Sequence, residues 1–292
     1  MKKYMESPYA WLGPTLVVLF TITIIPTLFL FFTALHHWEL GLPWSDRVFV
    51  GLRNFVFIFR DFLFQSAIKR TLVYTLASVG LEFILGFLIA LFLTRQSLKW
   101  KGVLIGMLII PMTVTPSIAG LIWRLYFNPT YGIVNYILGF FNIAPNWYSY
   151  DLAMLSVILV EVWQWTPFVA LILTSGLSAL PVTPFEAAKV DGASGLQTIW
   201  YVTLPLLRPI ILIALLLRTM DALKMFDVVF SLTGGGPADA TELLSMLIYR
   251  TGFYYSGQVG MASAMAVILL VIIIALSNLF IRVLGGKEGE VS

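Results

Sequence analysis

Charged residues and cysteine are scarce in this chain. Of its 292 residues, 11% are charged and 59% are hydrophobic, whereas a soluble domain carries about 25% charged residues. A soluble fold could not remove this much apolar surface from water, so lipid is expected to surround much of the chain. The chain has no cysteine, which excludes disulfide bonds and thiolate metal sites.

Metal-binding and phosphate-binding motifs are also missing from the sequence. The two histidines, His36 and His37, are adjacent, and neighbouring residues of a helix point to different faces, so no His-Glu-x-x-His metal site exists. No Gly-x-x-x-x-Gly-Lys-[Ser/Thr] loop occurs, so the chain is not expected to bind or hydrolyse ATP itself. The net charge of +3 is spread along the chain, which gives nucleic-acid binding no support. No catalytic residue set is predicted.

Long apolar runs are what the sequence does contain. A bilayer core of about 30 Å requires about 20 apolar residues in a helix. This rule predicts an all-α membrane protein in which residues 1–292 form a single transmembrane domain. The first run is longer than the apolar core of a cleaved signal, which has about 7–15 residues, so a retained helix is expected. The predicted helices lie near 11–35, 71–94, 103–127, 152–176, 207–232 and 259–284.

The segment 180–206 encodes two short helices between the fourth and fifth predicted membrane spans. Thr183 and Glu186 have the spacing of a capping box, with Pro184 at the first helical position. Gly192 suits the left-handed end of this helix. Ser194 and Gln197 predict a second capping box. We expect Leu204-Pro205 to end the second helix. From these residues alone, the segment could simply be an elbow that rests among lipid headgroups.

The same segment resembles the EAA loop of permeases from binding-protein-dependent ATP-binding-cassette (ABC) importers. The run Glu186-Ala187-Ala188, then Gly192, Ile199 and Leu204-Pro205, carries this resemblance. Further motifs resemble the carbohydrate branch of the family, and Arg70 departs from it where asparagine is common. These motifs are Gly51-Leu52-Arg53-Asn54-Phe55, Thr71-Leu72-Val73-Tyr74-Thr75, Trp163-Gln164-Trp165-Thr166-Pro167, Phe226-Asp227 and Leu232-Thr233-Gly234-Gly235-Gly236-Pro237. The last motif resembles the first permease of maltose and glycerol-phosphate uptake systems.

The resemblance implies a type I ABC importer permease with six transmembrane helices and a cytosolic two-helix coupling loop. It implies a multi-pass protein of the inner or plasma membrane with a cytosolic N-terminus. It also implies a second permease, an ATPase dimer that binds ATP and Mg, an extracytoplasmic binding protein and a sugar substrate as partners, in contact with membrane lipid. The residues that the resemblance assigns to ATPase coupling are Glu186, Ala187, Ala188, Asp191, Gly192 and Ala193. The sugar itself is not indicated.

Charged residues inside the predicted spans require a reason, since each costs about 2.5–3.5 kcal/mol at the bilayer centre on insertion scales. Arg218 lies about 15 Å beyond Arg208 along a helix, near the midplane, and Asp221 follows at a spacing that allows pairing. The pair could be purely structural, or it could face a substrate path. Glu82 and Glu161 also fall within spans, and the sequence names no partner for either.

Aromatic and amide side chains of the fourth span lie at a similar depth. Trp165 suits the C–H face of a sugar and Gln164 suits its hydroxyl groups, although either could simply pack against a neighbouring helix. The predicted substrate path therefore comprises Gln164, Trp165, Arg218 and Asp221. The alternative function is an ion-coupled secondary transporter of a small polar solute, in which intramembrane carboxylates would carry the ion. The coupling loop argues against it, because such a transporter has no ATPase to dock.

Overall fold

A computed structural model describes residues 8–95, 99–255 and 257–284. The described chain is helical apart from short connections and one two-stranded hairpin. Strands β1 (His36–His37) and β2 (Val48–Phe49) pair antiparallel, with His36 opposite Phe49. The helices are α1 (Pro8–Ala34), α2 (Arg53–Arg60), α3 (Phe62–Leu93), α4 (Lys101–Thr113), α5 (Pro116–Tyr126), α6 (Ile133–Gly139), α7 (Ala153–Ser178), α8 (Thr183–Val190), α9 (Gly195–Thr198), α10 (Leu204–Leu223), α11 (Asp227–Leu232), α12 (Leu244–Tyr249) and α13 (Val259–Leu284).

Five of the described helical segments are long and apolar enough to cross a membrane. A sixth span is obtained if α4 and α5, which are bent by 94° relative to each other, are counted as one broken span. The all-α membrane class is therefore confirmed, and the predicted number of six holds only with that broken pair included. The five segments are Leu12–Ala34, Phe62–Leu93, Ala153–Ser178, Gly195–Leu223 and Val259–Val283.

The chain divides into two compact units, of which the first comprises residues 1–65 and 247–271. Within its described part, Asn54 of α2 donates hydrogen bonds from Nδ2 to the carbonyl oxygens of Ala34 (2.9 Å) and His36 (3.0 Å). Thr33 of α1 donates to Ser263 of α13 at 2.8 Å. Buried polar groups must be paired to offset their desolvation. The Asn54 bonds therefore hold α2 against the end of α1 and the hairpin, and the Thr33 bond holds α1 against α13.

The second unit comprises residues 66–246 and 272–292, and α7 lies at its centre. In the apolar membrane-spanning part of α7, 67% of the segment is buried, whereas the buried share is 33% in α3 and 22% in the segment that contains α10. Glycines permit the close packing around α7: a Cβ on Gly86 of α3 would lie 2.8 Å from Val169, and one on Gly176 of α7 would lie 2.8 Å from Ile210 of α10. Small residues bring membrane helices together in this way.

The single helix predicted near 103–127 is wrong, because the chain breaks between α4 and α5. Thr115 precedes Pro116 and adopts an extended conformation (φ −60°, ψ 135°). The ring of a proline disfavours helical geometry in the residue before it, and Val114 is extended too. Pro116 then occupies the first turn of α5, where its missing N–H is not needed. The proline that ends one helix therefore begins the next, at a sharp bend.

The fifth predicted span, 207–232, also differs from the structure at both ends. Its helix ends at Leu223, and the shorter α11 begins at Asp227 after a break. The carbonyl of Met225, inside that break, accepts a hydrogen bond from the Ser245 hydroxyl. At the other end, Leu204-Pro205 does not stop the preceding helix. Residues 199–203 form a π-helical turn that continues into α10, and Pro205 lies in the first turn of α10.

Candidate functional site

Three charged side chains meet inside the second unit. Arg218 of α10, Glu82 of α3 and Glu161 of α7 are each 0% exposed. The Arg218 Nε donates to Glu82 Oε2 at 2.7 Å, and its Nη2 donates to Glu82 Oε1 at 3.1 Å and to Glu161 Oε1 at 2.6 Å. Charge-assisted hydrogen bonds of this length are the strong kind. Arg218 therefore ties together three helices that are far apart in the chain.

Aromatic residues enclose this charged cluster. The ring of Trp165 on α7 lies against the guanidinium group of Arg218, with 4.6 Å from the Arg218 Cζ to the ring centroid. This is a cation–π contact, which is stronger where water is excluded. The buried side chain of Tyr74, on α3, lies beside the Glu161 carboxylate. The ring of Trp165 thus covers a face of the guanidinium group, and carboxylates lie along its edges.

The predicted Arg218–Asp221 pair is present only as a secondary contact. Asp221 Oδ2 lies 3.8 Å from Arg218 Nη1, and that nitrogen forms no hydrogen bond with any described residue. The Asp221 side chain is half-exposed, and its Oδ1 lies 3.2 Å from Nζ of Lys224. The main partners of Arg218 are Glu82 and Glu161, which the sequence analysis left unassigned. The sequence did contain a signal for this cluster. Charged residues inside membrane spans pair with one another, and the spans contain two glutamates without an assigned partner and one arginine near the midplane.

Gln164 supports the bend between α4 and α5. Its Nε2 donates a hydrogen bond to the carbonyl oxygen of Val114 at 2.6 Å, and the whole residue is 0% exposed. Because Val114 is extended, its carbonyl lacks the usual helical donor, and the Gln164 amide replaces it. Such replacement by a neighbouring helix is how broken membrane helices remain satisfied. Trp165, the next residue, is partly buried, and its indole Nε1 has no hydrogen-bond partner among the described residues.

The elbow, residues 180–206, has the two-helix form expected from the sequence, with one difference. Gly192 adopts φ +72°, the left-handed geometry that ends α8. Ser194 and Gln197 form the predicted reciprocal capping box. The predicted box between Thr183 and Glu186 is wrong, because Val182 is already helical (φ −76°, ψ −32°) and no side-chain cap forms. An N-cap residue needs non-helical geometry, so Thr183 is one residue too late.

The elbow exposes most of the residues predicted to couple to an ATPase. Glu186, Ala187, Asp191 and Gly192 are exposed, Ala188 is buried and Ala193 is half-buried. Because Glu186 takes no part in a cap, its carboxylate is available on the surface. Large apolar side chains are exposed on the same elbow: Val182 (67%), Val190 (87%), Leu196 (71%), Trp200 (67%) and Tyr201 (79%). An exposed apolar patch of this kind marks a surface that another protein or lipid covers.

An open cavity of about 650 Å³ lies beside the end of α5, the end of α11 and the start of the loop that follows α11. Its lining includes Arg124, Asn128, Tyr131, Tyr148 and Pro237. The Tyr148 hydroxyl donates a hydrogen bond to the carbonyl of Arg124 at 2.6 Å. No group of three or more histidine or acidic side chains suited to a metal ion occurs among residues 8–95, 99–255 and 257–284.

Apolar helices around a buried charge cluster, together with an exposed cap-and-turn elbow, are the features of a helical membrane protein. The family described as "Binding-protein-dependent transport system inner membrane component" matches residues 82–287. This is well over half of the chain, and the chain belongs to this family. The resemblance inferred from the EAA-like run is thereby confirmed. The chain is a multi-pass membrane permease subunit and not an enzyme, since ATP hydrolysis in such systems resides in a separate subunit.

Relatives match the chain over nearly its whole length. The trehalose/maltose transport system permease protein MalF of Thermococcus litoralis is 36% identical, with 96% of this chain and 95% of the relative covered. The sulfoquinovosyl glycerol transport system permease protein SmoG of Agrobacterium fabrum is 33% identical over 95% of this chain and 90% of the relative. A bacterial alginate ABC transporter, solved with an alginate pentasaccharide-bound periplasmic protein, shares the fold, with TM-score 0.81, 21% identity, and 96% and 95% of the two chains covered.

Proposed function

We propose that this permease forms half of the translocation path of an ATP-driven sugar importer that receives its cargo from a binding protein. The full-length similarity to permeases of trehalose, maltose and sulfoquinovosyl glycerol systems is the observation that carries this proposal. A second permease supplies the other half of the path. An ATPase dimer, which binds ATP and Mg, and an extracytoplasmic binding protein complete the importer. Nothing in the described part of the chain favours the alternative of an ion-coupled secondary transporter.

The elbow is the proposed dock for the ATPase. Its two helices are held in one shape by the left-handed Gly192 and by the Ser194–Gln197 capping box. A rigid, exposed element with apolar side chains and a free carboxylate at Glu186 suits a groove on a partner protein better than lipid alone. Docking of a cytosolic ATPase places the elbow in the cytosol. With α4 and α5 counted as one span, four spans separate the elbow from the N-terminus, so the N-terminus is proposed to lie in the cytosol as well. Residues 1–7 lie outside the described chain.

The proposed substrate path follows the faces of α7 and α10 around the charged cluster. Asp221 is half-exposed, and Trp165 is partly buried with an unpartnered indole N–H. Both can meet a sugar, Asp221 by accepting hydrogen bonds from hydroxyl groups and Trp165 through the exposed part of its ring, since the indole nitrogen is itself buried. Gln164 and Arg218 are fully buried. They belong to the path as the supports of its wall, with Gln164 fixing the α4–α5 bend and Arg218 fixing Trp165.

Co-purification with a charge-reversed elbow tests this function. The wild-type chain, expressed with the products of its neighbouring genes and purified in detergent, should retain an ATPase and a second permease. Glu186→Arg should lose the ATPase and keep the second permease, because only the exposed elbow is altered. Asp46→Arg, a matched reversal at an exposed acidic residue in another loop, should keep both partners. If the wild-type chain retains no ATPase, or if Glu186→Arg retains it fully, the docking proposal is wrong.

A further inference from the structure

Two of the three nitrogens of the Arg218 guanidinium group are hydrogen-bonded within the chain, and the third, Nη1, is buried without a hydrogen bond to any described residue. The two bonded nitrogens donate to Glu82 and Glu161, and the third lies 3.8 Å from Asp221. Trp165 covers a face of the guanidinium group at 4.6 Å. Arginine recognises phosphate or sulfonate groups through two parallel N–H donors on one edge. Here neither edge has both donors free. Glu82 occupies the edge formed by Nε and Nη2, and Glu161 accepts from Nη2 on the edge formed by Nη1 and Nη2.

The neighbourhood of Arg218 is negative on balance. By formal charge, three carboxylates, of Glu82, Glu161 and Asp221, lie beside two cations, Arg218 and Lys224, which is one negative charge more than positive. Lys224 is the more exposed of the two cations, and it is already paired with Asp221 at 3.2 Å. Charges interact strongly at this depth because the surroundings have a low dielectric constant. An anion that approaches this wall meets repulsion and finds no unpaired arginine.

We propose that the path of this permease carries sugars without a negative charge, and that Glu161 determines this specificity by occupying the arginine donor that an anionic sugar would require. This deepens the proposed function and depends on it. Arg218 is then a positioning residue, which holds Trp165 and the two carboxylates in place. The relatives include permeases of neutral disaccharide systems and of a sulfonated sugar system, so family membership alone does not determine the charge of the transported sugar.

Neutral hydroxyl groups suit the exposed groups of the site. The half-exposed Asp221 offers a carboxylate that accepts hydrogen bonds from hydroxyl groups. The partly buried Trp165 offers the part of its ring that Arg218 does not cover. The Trp165 indole nitrogen and the Gln164 amide oxygen have no partner among the described residues, but both atoms are buried and do not reach a ligand. The exposed groups can therefore pair with an uncharged polyhydroxy ligand and supply no unpaired cation for an acid.

Transport by the complete importer in proteoliposomes tests the proposal, with trehalose as the neutral probe and sulfoquinovosyl glycerol as the anionic one. The affinity of the binding protein for each probe is measured separately, and uptake is compared at equal binding-protein saturation. The wild type should import trehalose at least about tenfold faster, because one unfavourable charge contact at this depth changes an equilibrium by about that factor or more. Equal or faster uptake of the sulfonate by the wild type would overturn the proposal and leave sugar import intact.

Charge-neutralising variants extend the test. Glu161→Gln keeps the shape of the side chain and removes the excess charge, and Glu82→Gln with Glu161→Gln leaves a net positive wall. The ratio of sulfonate uptake to trehalose uptake should rise in the single variant and again in the double. Asp46→Asn, an exposed acid in another loop, should leave the ratio unchanged. A ratio that does not move in well-expressed Glu161→Gln would reject its specificity role, and uptake that continues without ATP or without the binding protein would reject the proposed function itself.

Discussion

Replacing Arg218 by methionine should destabilise the bundle strongly. The substitution keeps most of the side-chain volume and removes three hydrogen bonds of 2.6–3.1 Å. Glu82 and Glu161 are then left in a dry interior without a cation. Breaking a buried ion pair from one side costs about 3–5 kcal/mol. At about 2–4 °C per kcal/mol for a chain near this size, the apparent melting temperature should fall by roughly 10 °C.

The identity of the rescuing substitution separates the observed cluster from a simple Arg218–Asp221 pair. If Glu82 and Glu161 are the main partners, Arg218→Met combined with Glu82→Gln and Glu161→Gln should recover most of the stability, because a neutral cluster of similar volume is often as stable as an ionic one. Arg218→Met combined with Asp221→Asn should recover little, since Asp221 is half-exposed and reaches Arg218 only at 3.8 Å.

Thermal denaturation of the purified importer in detergent, followed by size-exclusion fluorescence after heating, measures these differences. The Asp221→Asn single variant is the control, and it should shift the melting temperature by less than about 4 °C, as expected for an exposed ion pair worth up to about 1 kcal/mol. A wild-type melting temperature in Arg218→Met, or full rescue by Asp221→Asn, would show that the buried cluster does not stabilise the fold in this way.

Three further outcomes are expected. Gly192→Pro should abolish sugar-stimulated ATPase activity while the complex still assembles, because proline fixes φ near −65° and Gly192 requires +72°; normal coupling in this variant would contradict the role of the elbow. Ser194→Ala should lower stability by about 1 kcal/mol through the lost cap, and a melting temperature equal to that of the wild type would refute that contribution. Tyr148 precedes α7 and Ala238 follows α10, so each is one span away from the elbow and is expected on the binding-protein side of the membrane. Photocrosslinkers at these two positions should trap the binding protein, whereas one at Leu196 should trap the ATPase; the reverse pattern would reject the proposed orientation.

Local chemistry allowed much of the helical frame to be predicted from the sequence. Apolar length located five described spans, and α13 has the predicted bounds. The left-handed Gly192 and the Ser194–Gln197 box were also predicted correctly, since both depend on residues within a few positions of each other. The Thr183 box failed by one residue, because helical geometry already begins at Val182. Hydropathy also missed the α4–α5 break, since it registers composition and ignores the extended residue that precedes Pro116.

The charged cluster could not be assembled from the sequence because its partners are 57 and 136 residues away from Arg218. Spacing along one helix suggested Asp221, which is near in sequence and has the correct sign. Burial reverses this choice, since Arg218 and the two glutamates are 0% exposed while Asp221 reaches the surface of the chain. Gln164 was expected to meet a sugar. Its hydrogen bond to Val114 could not be predicted, because it depends on the break between α4 and α5, which the sequence analysis missed.

ATP-dependent uptake in proteoliposomes tests the central claim most directly. The complete importer, reconstituted with ATP inside one set of vesicles and without ATP in another, is given its binding protein and radiolabelled trehalose on the binding-protein side. The account predicts accumulation only when ATP, the binding protein and an unaltered elbow are all present, with no response to an imposed proton or sodium gradient. Accumulation that follows an ion gradient and needs neither ATP nor the binding protein would contradict it.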